Sequence, residues 1–303
     1  MNNYLISIVG ATAIGKTALS IDLAKHFKTE IISCDSRQFY KEMNIGTAVP
    51  SIEELAAVKH HFIQNLSIFE DYSVGDFEKD ALSKLDELFN KNNVVIMVGG
   101  SGLYANAVID GLDYFPEVDA NIRLEFNKQL EEGKLEALQN KLKELDFESY
   151  NTIEIDNPHR LIRALEICVG TGLPYSSFKN KEKKPRNFKV IKIGLTADRV
   201  LMYQRINERV AIMFQNGLLK EAKKLNDYKN LNALQTVGYR ELFSYLDGDF
   251  SLEFAIEEIK KNTRRFAKRQ VTWNKKDPNI HWFNFEEKHS EIIKTIEKHL
   301  NVR

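Results

Sequence analysis

The sequence predicts an α/β protein: a mostly parallel sheet flanked by helices, with a helical domain inserted into it. Three observations carry this. Five short apolar, β-branched runs, at 4–10, 30–36, 94–100, 190–195 and 279–285, alternate with stretches in which apolar residues recur at helical spacing, the pattern of strands joined by crossover helices. The first run passes through a glycine-rich loop straight into a helical stretch. Between Gly111 and Arg186, by contrast, no strand-like run occurs.

Taken in order, YLISIVG (4–10) reads as a buried strand. Gly10-Ala11-Thr12-Ala13-Ile14-Gly15-Lys16-Thr17 follows and fits the phosphate-loop pattern G-x-x-x-x-G-K-[ST]. GKTALSIDLAKHF (15–27) then supplies the helix, and strand, loop and helix in that order make the fold P-loop NTPase-like. Glycines let successive backbone N–H groups turn toward phosphate oxygens, and the helix N-terminus adds its dipole. Lys16 brings a point charge, and the Thr17 hydroxyl can ligate Mg²⁺. EIISCDS (30–36) is a second strand carrying Asp35 near its end; VVIMVGG (94–100) is a third, ending in a glycine pair. NIRLEFNKQLEEGKLEALQNKLKEL and PHRLIRALEICVGTG read as amphipathic helices with glycine stops. VIKIGL (190–195) and NIHWFNF (279–285) close the sheet. The organisation expected is a core of 1–112 and 187–303, interrupted by a helical insertion at 113–186.

Composition narrows the class. Of 303 residues, 43 are Lys or Arg and 43 Asp or Glu, so the net charge is zero, and any polyanion contact must be local. Two cysteines, Cys34 and Cys168, stand far apart in no metal-ligand spacing, which argues against a disulfide framework or a zinc site. The first residues have no basic stretch or cleavage-like segment, and no apolar run reaches the roughly 18 residues of a membrane span. The expectation is a cytoplasmic monomer without membrane contact.

Asp35 is the acid that follows an apolar strand, and strand C-termini line the site in open α/β sheets. Metal carboxylate, general base and turn cap are its three readings. Arg205 and Arg209 lie four apart on one helix face; either a surface ion pair or a cation over the phosphates would use them. Residues 260–276, KKNTRRFAKRQVTWNKK, hold eight Lys or Arg and no acid. As a helix they would set Phe266, Gln270 and Trp273 on a stripe toward the core. Arg265 and Arg269 would face outward with Lys261 and Lys268, suited to a nucleic-acid backbone or simply to solvent. The run at 179–189, with five Lys and one Arg, admits the same pair of readings.

With these blocks in view, the chain resembles the tRNA dimethylallyltransferases from end to end. GATAIGKT resembles their phosphate loop and DSRQFYKEMNIGTAVP (35–50) their D-S-x-Q-x-Y…I-G-T-A-K-P block. VGGSGLY (98–104), NPHRLIRALE (157–166), QTVGYRE (235–241) and TRRFAKRQVTW (263–273) resemble the remaining ones. The resemblance implies that the loop, Gly10, Ala11, Thr12, Ala13, Ile14, Gly15, Lys16 and Thr17, holds the diphosphate of dimethylallyl diphosphate. Adenine N6 of tRNA then attacks the allylic carbon and diphosphate leaves. Asp35 would be the general base, Arg209 the stabiliser of the leaving group, and Thr17 a ligand of Mg²⁺. The tRNA contacts implied are Asp35, Ser36, Arg37 and Gln38; Ser101; Arg123; His159, Arg160, Leu161, Ile162 and Arg163; Gln235 and Arg240; and, from the basic helix, Arg265 and Arg269. The insertion would lie over the anticodon stem loop.

Three departures touch side chains of that pattern: Ile14 for Ser removes a hydroxyl near the diphosphate, Val49 for Lys removes a cation, and Gln235 stands where Arg is common. Two rival functions keep the phosphate loop. A small-molecule kinase would bind ATP-Mg²⁺, and a free-nucleotide isopentenyltransferase would not need a long basic surface.

Overall fold

The first apolar run forms β1 (Tyr4–Gly10), and its alternating side chains feed two cores. Leu5 packs on one face of the sheet, and Tyr4, Ile6 and Ile8 on the other, as strands buried on both faces must. α1 (Lys16–Phe27) leads to β2 (Ile31–Ser33). β2 is shorter than the apolar run predicts, because the chain turns at Asp35, whose carbonyl accepts from Gln38 N–H at 3.0 Å. α2 (Ile52–Ala57), opened by a capping box between Ser51 and Glu54, precedes β3 (His60–His61). This two-residue edge strand has no apolar signature and was not foreseen. α3 (Val74–Phe89), β4 (Val94–Val98) and α4 (Gly102–Asp110) follow, with all five residues of β4 buried.

The chain then divides. Residues 111–185 form one compact unit, and residues 1–110 with 186–303 the other. The structure describes residues 2–179 and 185–301 and is a computed structural model. The smaller unit contains α5 (Ala120–Glu131), α6 (Leu135–Leu145), α7 (Phe147–Thr152) and α8 (Pro158–Thr171) around Phe126, Leu138, Leu142, Leu161 and Leu165. Residues 180–184 of the expected basic run at 179–189 lie outside those described. Arg186, at its end, is bound to Glu78 at 2.5 Å and to the Ala107 carbonyl at 2.8 Å.

The larger unit resumes with β5 (Lys189–Thr196), α9 (Arg199–Gln215), α10 (Leu218–Leu225), α11 (Tyr239–Leu246), α12 (Leu252–Asn274), β6 (Ile280–Asn284) and α13 (His289–Asn301). The six strands lie in the order β3-β2-β4-β1-β5-β6, and every pairing is parallel. β1 is therefore the switch point: β4 and β2 build outward on one side of it, and β5 and β6 on the other. The crevice beyond its C-terminus is where such sheets bind ligands, and there the phosphate loop begins. No described helix is long and apolar enough to cross a membrane.

Candidate active site

The loop leaves β1 through Gly10, at φ 143°. A Cβ there would lie 2.6 Å from the Leu195 carbonyl oxygen of β5, so only glycine lets the two strands run side by side into the turn. Gly15 opens α1 at φ 106°. Between them Ala11 and Ile14 are buried, at 2 % and 1 % exposure. The side chain of Ile14 packs into the sheet core with Leu19 and Leu195. With its side chain in the core, Ile14 has only its backbone to offer the cavity that it borders, in keeping with the loss of a hydroxyl at this position.

Lys16 Nζ donates to the carbonyls of Gly10 at 3.1 Å and Ala11 at 2.7 Å. Burial lowers its pKa to about 8, the nearby Arg209 adds to that, and Asp35 works against it. Burial likewise lowers Arg209, with Asp35 opposing. One guanidinium nitrogen of Arg209 donates to the Thr12 hydroxyl, while its Nε is buried without a partner. Two desolvated cations that share the influence of one carboxylate are suited to an anion of higher charge.

Two cavities meet at these residues. The smaller, about 120 Å³, is walled by Ala13 to Thr17, Ser33, Gln38, Ala48 and His60. The larger, about 520 Å³, is walled by Ser36, Arg37, Ser101, Leu103, Tyr104, Met213, Thr236, Phe266 and Trp273 among others. Thr12, Asp35, Thr47, Gly100 and Arg209 line both. A compartment bordered by the glycine-rich loop and a larger, partly aromatic one therefore share a wall made of a carboxylate and a guanidinium.

The profile of the family described as IPP transferase matches residues 38–277. The chain belongs to this family. It is 62 % identical over 301 residues to a tRNA dimethylallyltransferase of Christiangramia forsetii, covering 99 % of this chain and all of that one. It is 61 % identical to one of Flavobacterium johnsoniae, covering 98 % of each. Among solved structures, the full-length tRNA isopentenylpyrophosphate transferase of Bacillus halodurans superposes with a TM-score of 0.72 at 38 % identity, over 98 % of this chain and 95 % of that one. A eukaryotic dimethylallyltransferase, captured acting on tRNA, superposes at 0.83 with 26 % identity, over 99 % and 80 %.

The residues expected from the IPP transferase pattern separate by position. Asp35 uses Oδ1 to accept from Arg37 N–H at 3.1 Å, so it does cap a turn, yet its carboxylate also lines both cavities. Ser36 and Ser101 are joined at 3.0 Å through their hydroxyls, tying the loop after β2 to the loop after β4. Arg37 is held by the carbonyls of Asn232 and Ala233 at 2.8 and 2.9 Å. Gln38 is turned the other way: its amide donates to the Thr47 and Ala48 carbonyls at 3.2 and 2.9 Å, and of the two cavities it walls only the smaller. Arg205, paired with Arg209 in the sequence, braces the loop from outside, donating to the Ala13 carbonyl at 2.9 Å and stacking on Phe285. Gln235, Arg240 and Arg269 line the larger cavity, while Arg265 is exposed on α12 and donates to Asn262 at 3.3 Å.

In the helical unit, Arg123, His159, Arg160 and Arg163 surround a hollow with Tyr175 and Lys179. Arg123 and Arg163 both pair with the buried Glu166, at 3.6 and 3.1 Å. Leu161 and Ile162, expected among the tRNA contacts, are 0 % and 2 % exposed. They face the core of the unit because α8 starts at Asn157 and Pro158, which fixes the apolar phase of the helix. A second correction concerns α12: Phe266 and Trp273 are not core-facing but 38 % and 45 % exposed, and both line the larger cavity.

Sequence reasoning missed His60 and Gln270 as site residues. His60 Nδ1 lies 2.8 Å from the Val58 carbonyl, which assigns the proton to that nitrogen, and its Nε2 is buried and unpartnered. Its motif, Lys-His-His, carried no signal beyond an edge strand. Both cysteines are buried, and burial pushes the Cys34 thiol up to about 12, so neither offers a thiolate.

Proposed function

We propose that this protein transfers a dimethylallyl group from dimethylallyl diphosphate to N6 of an adenine beside the anticodon of tRNA, releasing diphosphate. One observation carries the reading: the phosphate-loop cavity and the larger cavity adjoin at Asp35 and Arg209. A leaving group and a nucleophile can be held in separate compartments with a base and a cation at the junction.

In this mechanism the loop backbone and Lys16 hold the diphosphate, and the allylic C1 lies at the junction. The adenine, drawn out of its stack, enters the larger cavity, where aromatic rings such as Trp273 and Tyr104 suit a flipped base. N6 forms the bond to C1 as the C1–O bond breaks. The proton from N6 passes to the Asp35 carboxylate, and Arg209 takes up the charge gathering on the diphosphate oxygen. Oxygen donors at Thr17, Ser33 and Asp35 border the phosphate cavity, and no cluster of three or more His, Cys, Asp or Glu occurs among the described residues. That set fits Mg²⁺ held mainly through substrate oxygens and Thr17. The ion would neutralise diphosphate charge. The exposed cations of α12 and the arginine hollow of the helical unit suit the RNA backbone. A monomer suffices, since every group used comes from one chain.

The test is incubation with unmodified tRNA, Mg²⁺ and dimethylallyl diphosphate, followed by mass spectrometry of the digested nucleosides. One five-carbon prenyl unit on an adenosine beside the anticodon is the expected product. Product on free adenine nucleotides alone would change the acceptor, and phosphoryl transfer from ATP without prenylation would replace the reaction.

A further inference from the structure

Gln270 lies on α12 between Phe266 and Trp273 and is 8 % exposed. Its amide is committed to backbone groups of two separate loops. Oε1 accepts from Thr12 N–H at 2.8 Å, and Nε2 donates to the Gly100 carbonyl at 2.9 Å. The orientation is unambiguous, because an N–H requires an acceptor and a carbonyl a donor.

Each of these backbone groups adjoins a residue of the cavity junction. Thr12 carries the hydroxyl to which Arg209 is bonded. At Gly100 a Cβ would lie 2.8 Å from Gln270 Nε2 and 3.0 Å from Asp35 Oδ2, so amide and carboxylate converge on the space glycine leaves. Gln270 also takes the Thr12 N–H out of the set that can face an anion, which shifts the diphosphate cradle toward the amides that follow it.

We infer that Gln270 is a positioning residue for prenyl transfer: through Thr12 it fixes Arg209, through Gly100 it fixes the wall beside Asp35, and so it sets the spacing between the leaving-group cation and the base. The inference rests on the reading above, in which Arg209 and Asp35 serve those roles. It also makes α12 the link between the tRNA-facing cations and the phosphate loop, because one helix carries both.

The experiment is a set of double-mutant cycles read by single-turnover prenylation. Gln270→Met keeps length and volume and removes both hydrogen bonds. Gln270→Glu keeps the acceptor for Thr12 and sets a carboxylate oxygen against the Gly100 carbonyl. Each is expected to slow the chemical step by roughly 10- to 100-fold, the scale of a displacement of about 1 Å. Equilibrium affinities for pyrophosphate and tRNA should stay within about threefold. In Arg209→Ala or Asp35→Ala backgrounds the same substitutions should cost much less, because the residue that Gln270 positions is already gone. A merely structural role would give equal losses in every background.

Equal losses, or wild-type rates in Gln270→Met, would overturn the inference. So would loss of the folded state in both variants, seen by circular dichroism, which would make Gln270 a scaffold residue. Near-wild-type rates in Arg209→Ala alone would instead overturn the mechanism on which the inference rests.

Discussion

Arg209 donates to the side chain of Thr12, and Arg205, one turn earlier on the same helix, donates to the carbonyl of Ala13. The two arginines thus grip consecutive residues of the phosphate loop, but only Arg209 lines the cavities. Arg209→Ala should lower kcat by roughly 10²–10³-fold, the scale of losing one charge stabiliser. Arg205→Ala should act mainly on the KM for the diphosphate substrate. Steady-state kinetics separates the two, and equal kcat losses would deny Arg209 a special role.

Asp35→Asn preserves an acceptor for the Arg37 turn and removes the carboxylate. Turnover should fall by about 10²–10³-fold with tRNA affinity nearly unchanged, as for loss of a general base. Filter binding and single-turnover rates on the same preparations check this. Retained turnover would return Asp35 to its turn-capping role.

Lys16 should make diphosphate binding depend on pH. In the free protein burial holds its pKa at about 8, so the ammonium is present below that pH and lost above it. A bound diphosphate favours the charged form, so binding takes up a proton as pH rises past 8, and affinity falls by up to about tenfold per pH unit. Pyrophosphate gains charge over the same range. The comparison is therefore with Lys16→Arg, whose cation does not titrate. Calorimetry from pH 7 to about 9.5 should show a steeper loss for the wild type, and parallel curves would remove Lys16 from the anion site.

Charge reversal at Arg265 and Arg269 should weaken tRNA binding and flatten its salt dependence, by about one unit of slope per lost phosphate contact. Pyrophosphate affinity should not move. An unchanged salt slope would assign those residues to solvent.

Glu221 governs stability from outside the site. Its carboxylate accepts from the N–H groups of Asn44, Ile45 and Gly46 at 3.0, 2.8 and 2.9 Å and from the Tyr239 hydroxyl at 2.6 Å. Those bonds fix the segment that ends in Thr47, a wall of both cavities. Glu221→Ala leaves several donors unpaired and should cost about 1–3 kcal/mol, or somewhat more if none is rescued by water. Urea unfolding measures it, and a loss below about 0.5 kcal/mol would show that water replaces the carboxylate.

The parallel sheet was legible because its central strands are continuous apolar runs, and the phosphate loop because its chemistry is local. β3 escaped because a two-residue edge strand buries too little to leave a pattern. At the site, Lys16 and Asp35 could be placed beside the loop from type and position, whereas only the resemblance separated Arg209 from Arg205. Gln270 and Glu221 act by hydrogen-bonding backbone groups far away in sequence, and no spacing rule reports that. Ile14, Leu161 and Ile162 show the converse: a motif marks a stretch, while helix phase and loop curvature decide which of its side chains face the ligand.

The position of β1 between β4 and β5 has a consequence for biosynthesis. Gly10 packs against Leu195, Thr12 takes its partners from Arg209 and Gln270, and the larger cavity closes with Trp273. The motif nearest the N-terminus is thus completed by residues from Leu195 onward, beyond the inserted unit. A nascent chain that has emerged only through α4 has its phosphate-loop sequence but not the walls around it. Assembly of the catalytic junction must await long-range closure over the whole inserted unit, a topology that slows folding. Chains cut short before α12 should accordingly gain no partial activity.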